Sequence, residues 1–98
     1  MKKLSPLTAV ITLPLVRQVY KRDAYICRYC GFKAWNRPWF LQVDHFYPKS
    51  QGGQTVLANL NTSCGPCNDI KGDRIFQDIK SAAFYIRQEK RKIKQLYG

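Results

Sequence analysis

The chain has 98 residues, which suffices for one domain, is too short for two, and excludes a Rossmann fold, a TIM barrel or a protein kinase. Seventeen lysines and arginines against six acidic residues give a net charge of +11, a balance typical of proteins that bind polyanions. Nucleic acid is therefore the expected partner class, and a merely solvated basic surface is the second interpretation. The central third, residues 36–70, is electrically neutral, so the excess charge lies on both sides of it.

The N-terminal segment MKKLSPLTAVITLPLV places two lysines before an apolar run, as a secretory signal does. Pro6 and Pro14 interrupt the run and no small-residue cleavage pattern follows, so we expect this segment to form a strand or arm, with residues 1–19 comprising the arm and the start of a helix. No stretch approaches the roughly 20 apolar residues of a membrane span. We therefore expect a protein that does not enter the membrane and resides in the reducing cytoplasm, with a bacterial, phage or mobile-element origin.

Periodicity predicts the remaining elements in chain order. Apolar residues at helical spacing predict a short helix over 15–23, after Pro14. Short strands are expected around residues 24–33 and from Phe40 to Phe46, with one helical turn over 55–60. From Asp73 onward, helical spacing recurs at Ile75, Ile79, Ala82, Ala83, Ile86 and Ile93. This pattern predicts a long C-terminal helix whose basic end suits either the helix dipole or DNA.

Four cysteines form two C-x-x-C pairs, Cys27 with Cys30 and Cys64 with Cys67. A small domain buries too little apolar surface to dispense with a further stabilising element, and a tetrahedral zinc held by four thiolates provides one. A redox pair and an iron–sulfur cluster are the alternatives, but two matched pairs, each with a glycine beside it, favour zinc. Since such a site has no open coordination position, the zinc is expected to be structural.

Between the cysteine pairs, VDHFYPKSQGG contains the only histidine of the chain, His45, next to Asp44. Taken alone, Asp44 and His45 do not establish a catalytic role. A lone histidine is more often a structural hydrogen-bonding group than a catalyst, and an aspartate often caps a turn. Neighbours on a regular strand also point to opposite faces unless a bend or bulge intervenes.

The combination YKRDAYICRYCG, VDHFYPKSQGG and NLNTSCGPCNDIKGD, in this order, resembles the four-cysteine, zinc-containing branch of the HNH endonucleases. The resemblance covers about residues 20–73. It implies an α+β, treble-clef-like ββα-metal domain with a structural zinc site of four cysteines, followed by the long basic helix over 74–98. We therefore expect residues 1–98 to form a single HNH nuclease domain.

The resemblance also assigns roles to four residues. His45 corresponds to the general base that activates water, and Asp44 to a ligand of the catalytic divalent cation. Asn59 corresponds to the residue that steadies the loop carrying the base. Asn68 corresponds to the last residue of the motif, and it departs from the namesake histidine, although some active members carry asparagine there.

The implied activity is metal-dependent hydrolysis of phosphodiester bonds in double-stranded DNA. A neutral imidazole can take the proton from water, and a cation on the hard oxygen donors of Asp44 and Asn68, Mg²⁺ or Mn²⁺, can stabilise the leaving oxygen. No small-molecule cofactor is expected. The main alternative is a catalytically inactive, zinc-stabilised nucleic-acid-binding module, and a third interpretation is an RNA-associated zinc protein.

Weaker expectations concern the surface. Four basic residues are candidate nucleic-acid contacts: Lys49, Lys71, Arg74 and Arg91. Because aromatic residues dominate small cores, four others are expected in the core or packed on the zinc site, with contact to DNA as the second interpretation: Trp35, Trp39, Phe40 and Tyr47. Apolar residues near the C-terminus fit either the core or a dimer interface: Phe84, Tyr85, Leu96 and Tyr97.

Overall fold

Helix α1, Leu13–Arg22, begins where the Thr12 hydroxyl accepts a hydrogen bond from the Leu15 amide (3.4 Å) and Pro14 occupies the first turn. This computed structural model describes residues 11–97, so the first ten residues of the expected N-terminal arm lie outside the described residues. The helix ends at Asp23, whose carboxylate accepts hydrogen bonds from the Thr62 amide (3.0 Å) and from Arg22 (2.8 Å). The end of α1 is thereby joined to the strand that contains Thr62.

Two antiparallel strands form the sheet, β1 over Leu41–His45 and β2 over Leu60–Cys64. Their register pairs Leu41 with Cys64 and His45 with Leu60. Strand β1 confirms the expected strand, whereas β2 was not predicted, because every residue of LNTSC is buried and the sequence lacks the alternation of a half-exposed strand. The strand-like segment around the first cysteine pair contributes one isolated bridge, Ile26 with Lys33.

Helix α2, Gly65–Lys71, follows β2 directly and ends at Gly72, which has a φ of 55°. Helix α3, Ile79–Tyr97, begins later than the predicted Asp73. The cause is local, since the Asp78 carboxylate accepts a hydrogen bond from the Ser81 amide (2.8 Å) and caps the helix there. The long C-terminal helix itself is confirmed. None of the helices between residues 11 and 97 combines the length and apolar character needed to cross a bilayer.

The core lies between α3 and the two cysteine pairs. Ala82 and Ile86 of α3 are fully buried and pack with Tyr29 and with three of the four cysteines. The Arg87 guanidinium of α3 donates to the Tyr29 carbonyl (2.8 Å), which fixes the first cysteine pair against the helix. Together the two strands, three helices and four-cysteine cluster confirm the α+β, ββα-metal architecture.

The expectation that four aromatic residues lie in the core or against the zinc site is wrong as regards burial. Trp35 and Trp39 are each 72% exposed, and Phe40 and Tyr47 are exposed as well. The core needs few large rings, because cysteine sulfur atoms and one buried tyrosine fill much of it. Near the C-terminus, Tyr85 packs against Phe76 while Phe84 and Leu96 face solvent.

Candidate active site and metal centre

The four cysteines converge at one point. The first pair lies on a turn in which the Gly31 amide donates to the Cys27 carbonyl (2.9 Å), with Gly31 at a φ of 81° that favours glycine. The second pair spans the junction of β2 and α2. Among residues 11–97, this is the one group of three or more histidine, cysteine or acidic side chains whose ligand atoms converge, the sulfurs all lying within 4.8 Å of one another.

The spacing of the sulfur atoms fits a tetrahedral zinc ion. A Zn–S bond of about 2.3 Å gives a sulfur–sulfur edge of about 3.8 Å. The Sγ atoms of Cys30 and Cys64 are 3.8 Å apart. The cluster is therefore positioned to form a metal site, and its donors and dimensions suit structural zinc.

The electrostatics of the cluster favour a bound cation. Hydrogen bonds from the other three thiols lower the pKa of Cys27, whereas Cys27, Cys30 and Cys64 raise the pKa of Cys67. Four adjacent thiols cannot all ionise unless positive charge compensates them. Lys90 of α3 contributes some of that charge, with Nζ 3.7 Å from the Cys67 sulfur. Burial opposes ionisation of Lys90, but the neighbouring sulfurs raise its pKa.

Asp44 lies near the end of β1, almost fully buried, with both carboxylate oxygens engaged. Tyr29 Oη donates to Oδ2, and Lys71 Nζ lies 3.3 Å from Oδ1. Burial raises the pKa of Asp44, although the contacts with Tyr29 and Lys71 act in the opposite direction. The carboxylate is thus held rigidly at the edge of the sheet.

Lys71 corrects one expectation from the sequence. Its side chain is fully buried, so it does not reach a DNA phosphate in this structure. Nζ donates to the His45 carbonyl (3.0 Å) and lies over the Phe46 ring (5.8 Å to the centroid) in addition to pairing with Asp44. Lys71 therefore couples α2 to the end of β1.

His45 is half-buried, and its Nε2 atom lies 2.9 Å from Thr55 Oγ1. Burial lowers the pKa of His45, and the positive charges of Lys49 and Lys71 lower it further, while Asp44 opposes them. The ring is consequently neutral at physiological pH. No sequence pattern indicates Thr55, since only folding of the loop brings it to the imidazole.

The connection between the strands, residues 46–59, is clamped by Asn59. Its Oδ1 accepts from the Tyr47 amide (2.9 Å), and its Nδ2 donates to the carbonyls of Tyr47 (3.1 Å) and Gln54 (2.9 Å). The loop also approaches itself closely, because a Cβ at Gly53 would lie 1.8 Å from the Tyr47 oxygen. Asn59 thus sits away from the cavity and fixes the loop that follows His45.

Three of the four residues suggested by the resemblance, Asp44, His45 and Asn68, border one cavity of about 200 Å³. Asn68 on α2 reaches it with its Nδ2 donating to Gln42 Oε1 (2.6 Å). Asp73, which directly follows Gly72 at the end of α2, also lines the cavity, and no motif in the sequence indicates it as a site residue. Residues with carboxylate, imidazole and amide side chains therefore line one solvent-accessible space.

The remaining basic candidates lie at different distances from this cavity. Lys49 lines it. Arg74 donates to the Ile70 carbonyl (2.8 Å) and stacks on Tyr85 (5.1 Å to the centroid), so it joins α2 to α3. Arg91 is exposed on α3 and borders a separate groove.

Comparison with protein families gives a match over residues 27–74 to the family described as HNH endonuclease. These residues form an HNH endonuclease domain. The HNH domain begins at the first zinc-site cysteine, includes β1, β2 and α2, and ends just after the cavity. A comparison with curated proteins gave no significant match. The family assignment indicates a nuclease-type function and binding of nucleic acid, as is general for HNH domains.

Proposed function

We propose that the protein is a metal-dependent endonuclease that hydrolyses phosphodiester bonds of double-stranded DNA. The observation that carries the proposal is the convergence of Asp44, His45 and Asn68 on one cavity inside an HNH domain. Hydrolysis needs a base for the attacking water and positive charge near the departing oxygen. Among the residues that line this cavity, His45 can supply the base, and Asp44 and Asn68 can hold the cation that carries the positive charge.

His45 acts as the general base. The Thr55 hydroxyl accepts from Nε2–H in the working tautomer, so that Nδ1 carries the lone pair that takes the proton from water. Lys71 fixes the backbone of His45 through its carbonyl, and Asn59 fixes the loop beyond it. These contacts hold the imidazole in one orientation before substrate arrives.

Asp44 and Asn68 would hold the catalytic cation through a carboxylate oxygen and the amide oxygen. Asn68 donates its Nδ2 to Gln42, which leaves Oδ1 as its ligand atom, and a carboxylate that accepts two hydrogen bonds retains further lone pairs. Hard oxygen donors suit Mg²⁺ or Mn²⁺. When bound, the cation supplies positive charge to the phosphate and its leaving oxygen.

One observation favours the alternative of an inactive binding module. Asp44 is almost fully buried and already pairs with Lys71, so a cation must compete with an existing ion pair. An inactive domain would retain the zinc site, the fold and the basic surface while lacking hydrolysis. A single measurement distinguishes the endonuclease from the inactive binding module.

That measurement is cleavage of supercoiled plasmid by the zinc-loaded protein with Mg²⁺ or Mn²⁺, compared with no added divalent cation. The endonuclease proposal expects open-circular or linear product only when the cation is present. Binding of the plasmid without product under either cation would support the inactive module and refute the enzyme. A metal analysis of the same sample, giving one zinc per chain, controls for folding.

The pH dependence of cleavage should follow the neutral form of His45. Because burial and two lysines hold the pKa of His45 below 6.5, the base is available at pH 7 and is lost as the pH falls through that lowered pKa. Initial rates should therefore be level near neutrality and decline with a midpoint below pH 6.5. A midpoint above 6.5, with zinc still bound, would assign the base to another group.

A further inference from the structure

An exposed aromatic cleft of about 350 Å³ lies beside the zinc site, apart from the cavity that contains His45. Phe32, Trp39 and Phe40 line it together with Gln42, Pro66 and Lys90. The Phe40 ring contacts Phe32 edge-on (6.4 Å between centroids) and Trp39 at a tilt (6.1 Å). Three exposed rings in one cleft exceed the scattered apolar exposure of an ordinary surface and mark a binding site.

The rings stand on a loop whose backbone is hydrogen-bonded at several points. The Arg37 amide donates to the Ala34 carbonyl (3.0 Å), the Phe40 amide donates to the Arg37 carbonyl (3.0 Å), and the buried Ala34 donates to the Tyr25 carbonyl (2.9 Å). The loop is thus anchored to the first cysteine pair at one end and enters β1 at the other. Because the backbone that carries the rings is fixed beforehand, the protein loses little backbone conformational entropy when a ligand binds.

The charge of this surface indicates its occupant. Lys33 and Arg37 are exposed on the loop that carries the rings, and Lys90 borders the cleft while its Nζ lies 3.7 Å from the Cys67 sulfur. Apart from the Cys64 thiol, the described residues lining the cleft include no acidic side chain. Flat rings beside positive charge suit a polyanion with planar groups, which is nucleic acid. Bases in an intact duplex already stack on their neighbours, so an aromatic side chain stacks only on bases that are unpaired.

A hydrogen bond connects the edge of the cleft to the edge of the candidate active site. Gln42 lines the cleft, and its Oε1 accepts the hydrogen bond from Asn68, which borders the cavity. Strand β1 runs from Leu41 beside the cleft to His45, about 13 Å at 3.3 Å per residue. That length corresponds to about four stacked nucleotides.

We propose that the cleft formed by Phe32, Trp39 and Phe40 stacks unpaired bases of the DNA strand whose phosphate lies at His45. The choice of DNA rests on the proposed nuclease function. Within the proposed double-stranded substrate, the preferred target is accordingly a duplex with a single-stranded or melted segment within a few nucleotides of the scissile bond, rather than a duplex that is paired throughout.

The two tryptophans of the chain provide a matched pair for the test, because both are 72% exposed and only Trp39 lines the cleft. Binding is measured in the His45→Ala background without divalent cation, using a thymidine oligonucleotide of about 12 nucleotides and a blunt duplex of equal length. Trp39→Ala should weaken oligonucleotide binding by about 5- to 100-fold, and Trp35→Ala by less than about 2-fold. Fluorescence of the Trp35→Phe protein, which reports Trp39 alone, should be quenched by the oligonucleotide.

Three results would overturn the assignment. The first is equal oligonucleotide affinity in the Trp39→Ala and Trp35→Ala variants. The second is a loss of blunt-duplex affinity in Trp39→Ala that equals its loss of oligonucleotide affinity. The third is a wild-type dimer that Trp39→Ala dissociates, which would assign the cleft to a second copy of the chain. Since no cleavage enters the measurement, the result is independent of the nuclease proposal. A protein that shows this selectivity but never cuts DNA would refute the enzyme and retain the binding cleft.

Discussion

Replacing His45 with alanine should lower the rate of Mg²⁺- or Mn²⁺-dependent DNA cleavage by about 10²- to 10⁴-fold, the usual contribution of a general base. The imidazole is the only histidine side chain of the protein, so no second ring can substitute for it. DNA binding should be unchanged, because the basic residues of the surface remain. The measurement is single-turnover cleavage of plasmid beside a binding titration with the same DNA.

Ser50→Ala is a suitable control, because Ser50 borders the same cavity and has no ionisable group. Its cleavage rate should stay within about 2-fold of wild type. His45→Ala should keep the zinc and the circular dichroism spectrum of the wild type, since its ring is only half-buried and packs at the end of a strand. A folded His45→Ala protein that cuts at the wild-type rate would remove His45 from the mechanism.

Replacing Cys27 with serine should abolish cooperative folding. Zinc binding to small Cys-rich domains contributes about 10–16 kcal/mol, as much as the total stability of a typical domain, about 5–15 kcal/mol. Cys27 is buried and packs in the core with Tyr29 and Ile86, so the substitution removes a ligand and also places a hydroxyl in the core. Loss of secondary structure is expected by far-ultraviolet circular dichroism.

Chelation of the wild type tests the same point without mutation. Removing the metal should unfold the protein, with all four thiols becoming reactive, and added zinc should restore the original spectrum. A Cys27→Ser protein that lacks zinc and still unfolds cooperatively with heat would show that the cluster is not required for the fold. The alternatives of an iron–sulfur cluster or a redox pair would be recognised by visible absorption or by disulfide formation.

Much of the fold follows from local signals in the sequence. Pro14 marks the start of α1, and the spacing of apolar residues predicts α3 correctly except that it places the start of the helix at Asp73 instead of Ile79. Strand β2 could not be predicted in this way. Its polar residues Asn61, Thr62 and Ser63 are all buried, and their partners come from elements distant in the chain, as with the Thr62 amide and Asp23.

In the candidate site, too, some residues can be predicted from local sequence and others depend on the tertiary fold. The VDH motif and the residue after the last cysteine are readable in the sequence, and they indicate Asp44, His45 and Asn68. The contributions of Thr55 and Asp73 cannot be read from the sequence. Thr55 reaches the site through the path of a loop, and Asp73 reaches it from the end of a helix. Because lysine is usually exposed, the sequence predicts Lys71 at the surface. The structure buries it, and pairing with Asp44 offsets the desolvation of its charge.

The sequence by itself determined the two cysteine pairs, the HNH motif and the α+β class, because these depend on residue type and on spacing along the chain. Only the tertiary structure decided which polar groups are buried, which aromatic rings face solvent and which side chains border the cavity. Burial of a side chain depends on what packs over it, and here α3 and the cysteine cluster fill the core and leave Trp39 and Phe40 at the surface. The aromatic cleft beside the candidate active site is a consequence of that packing.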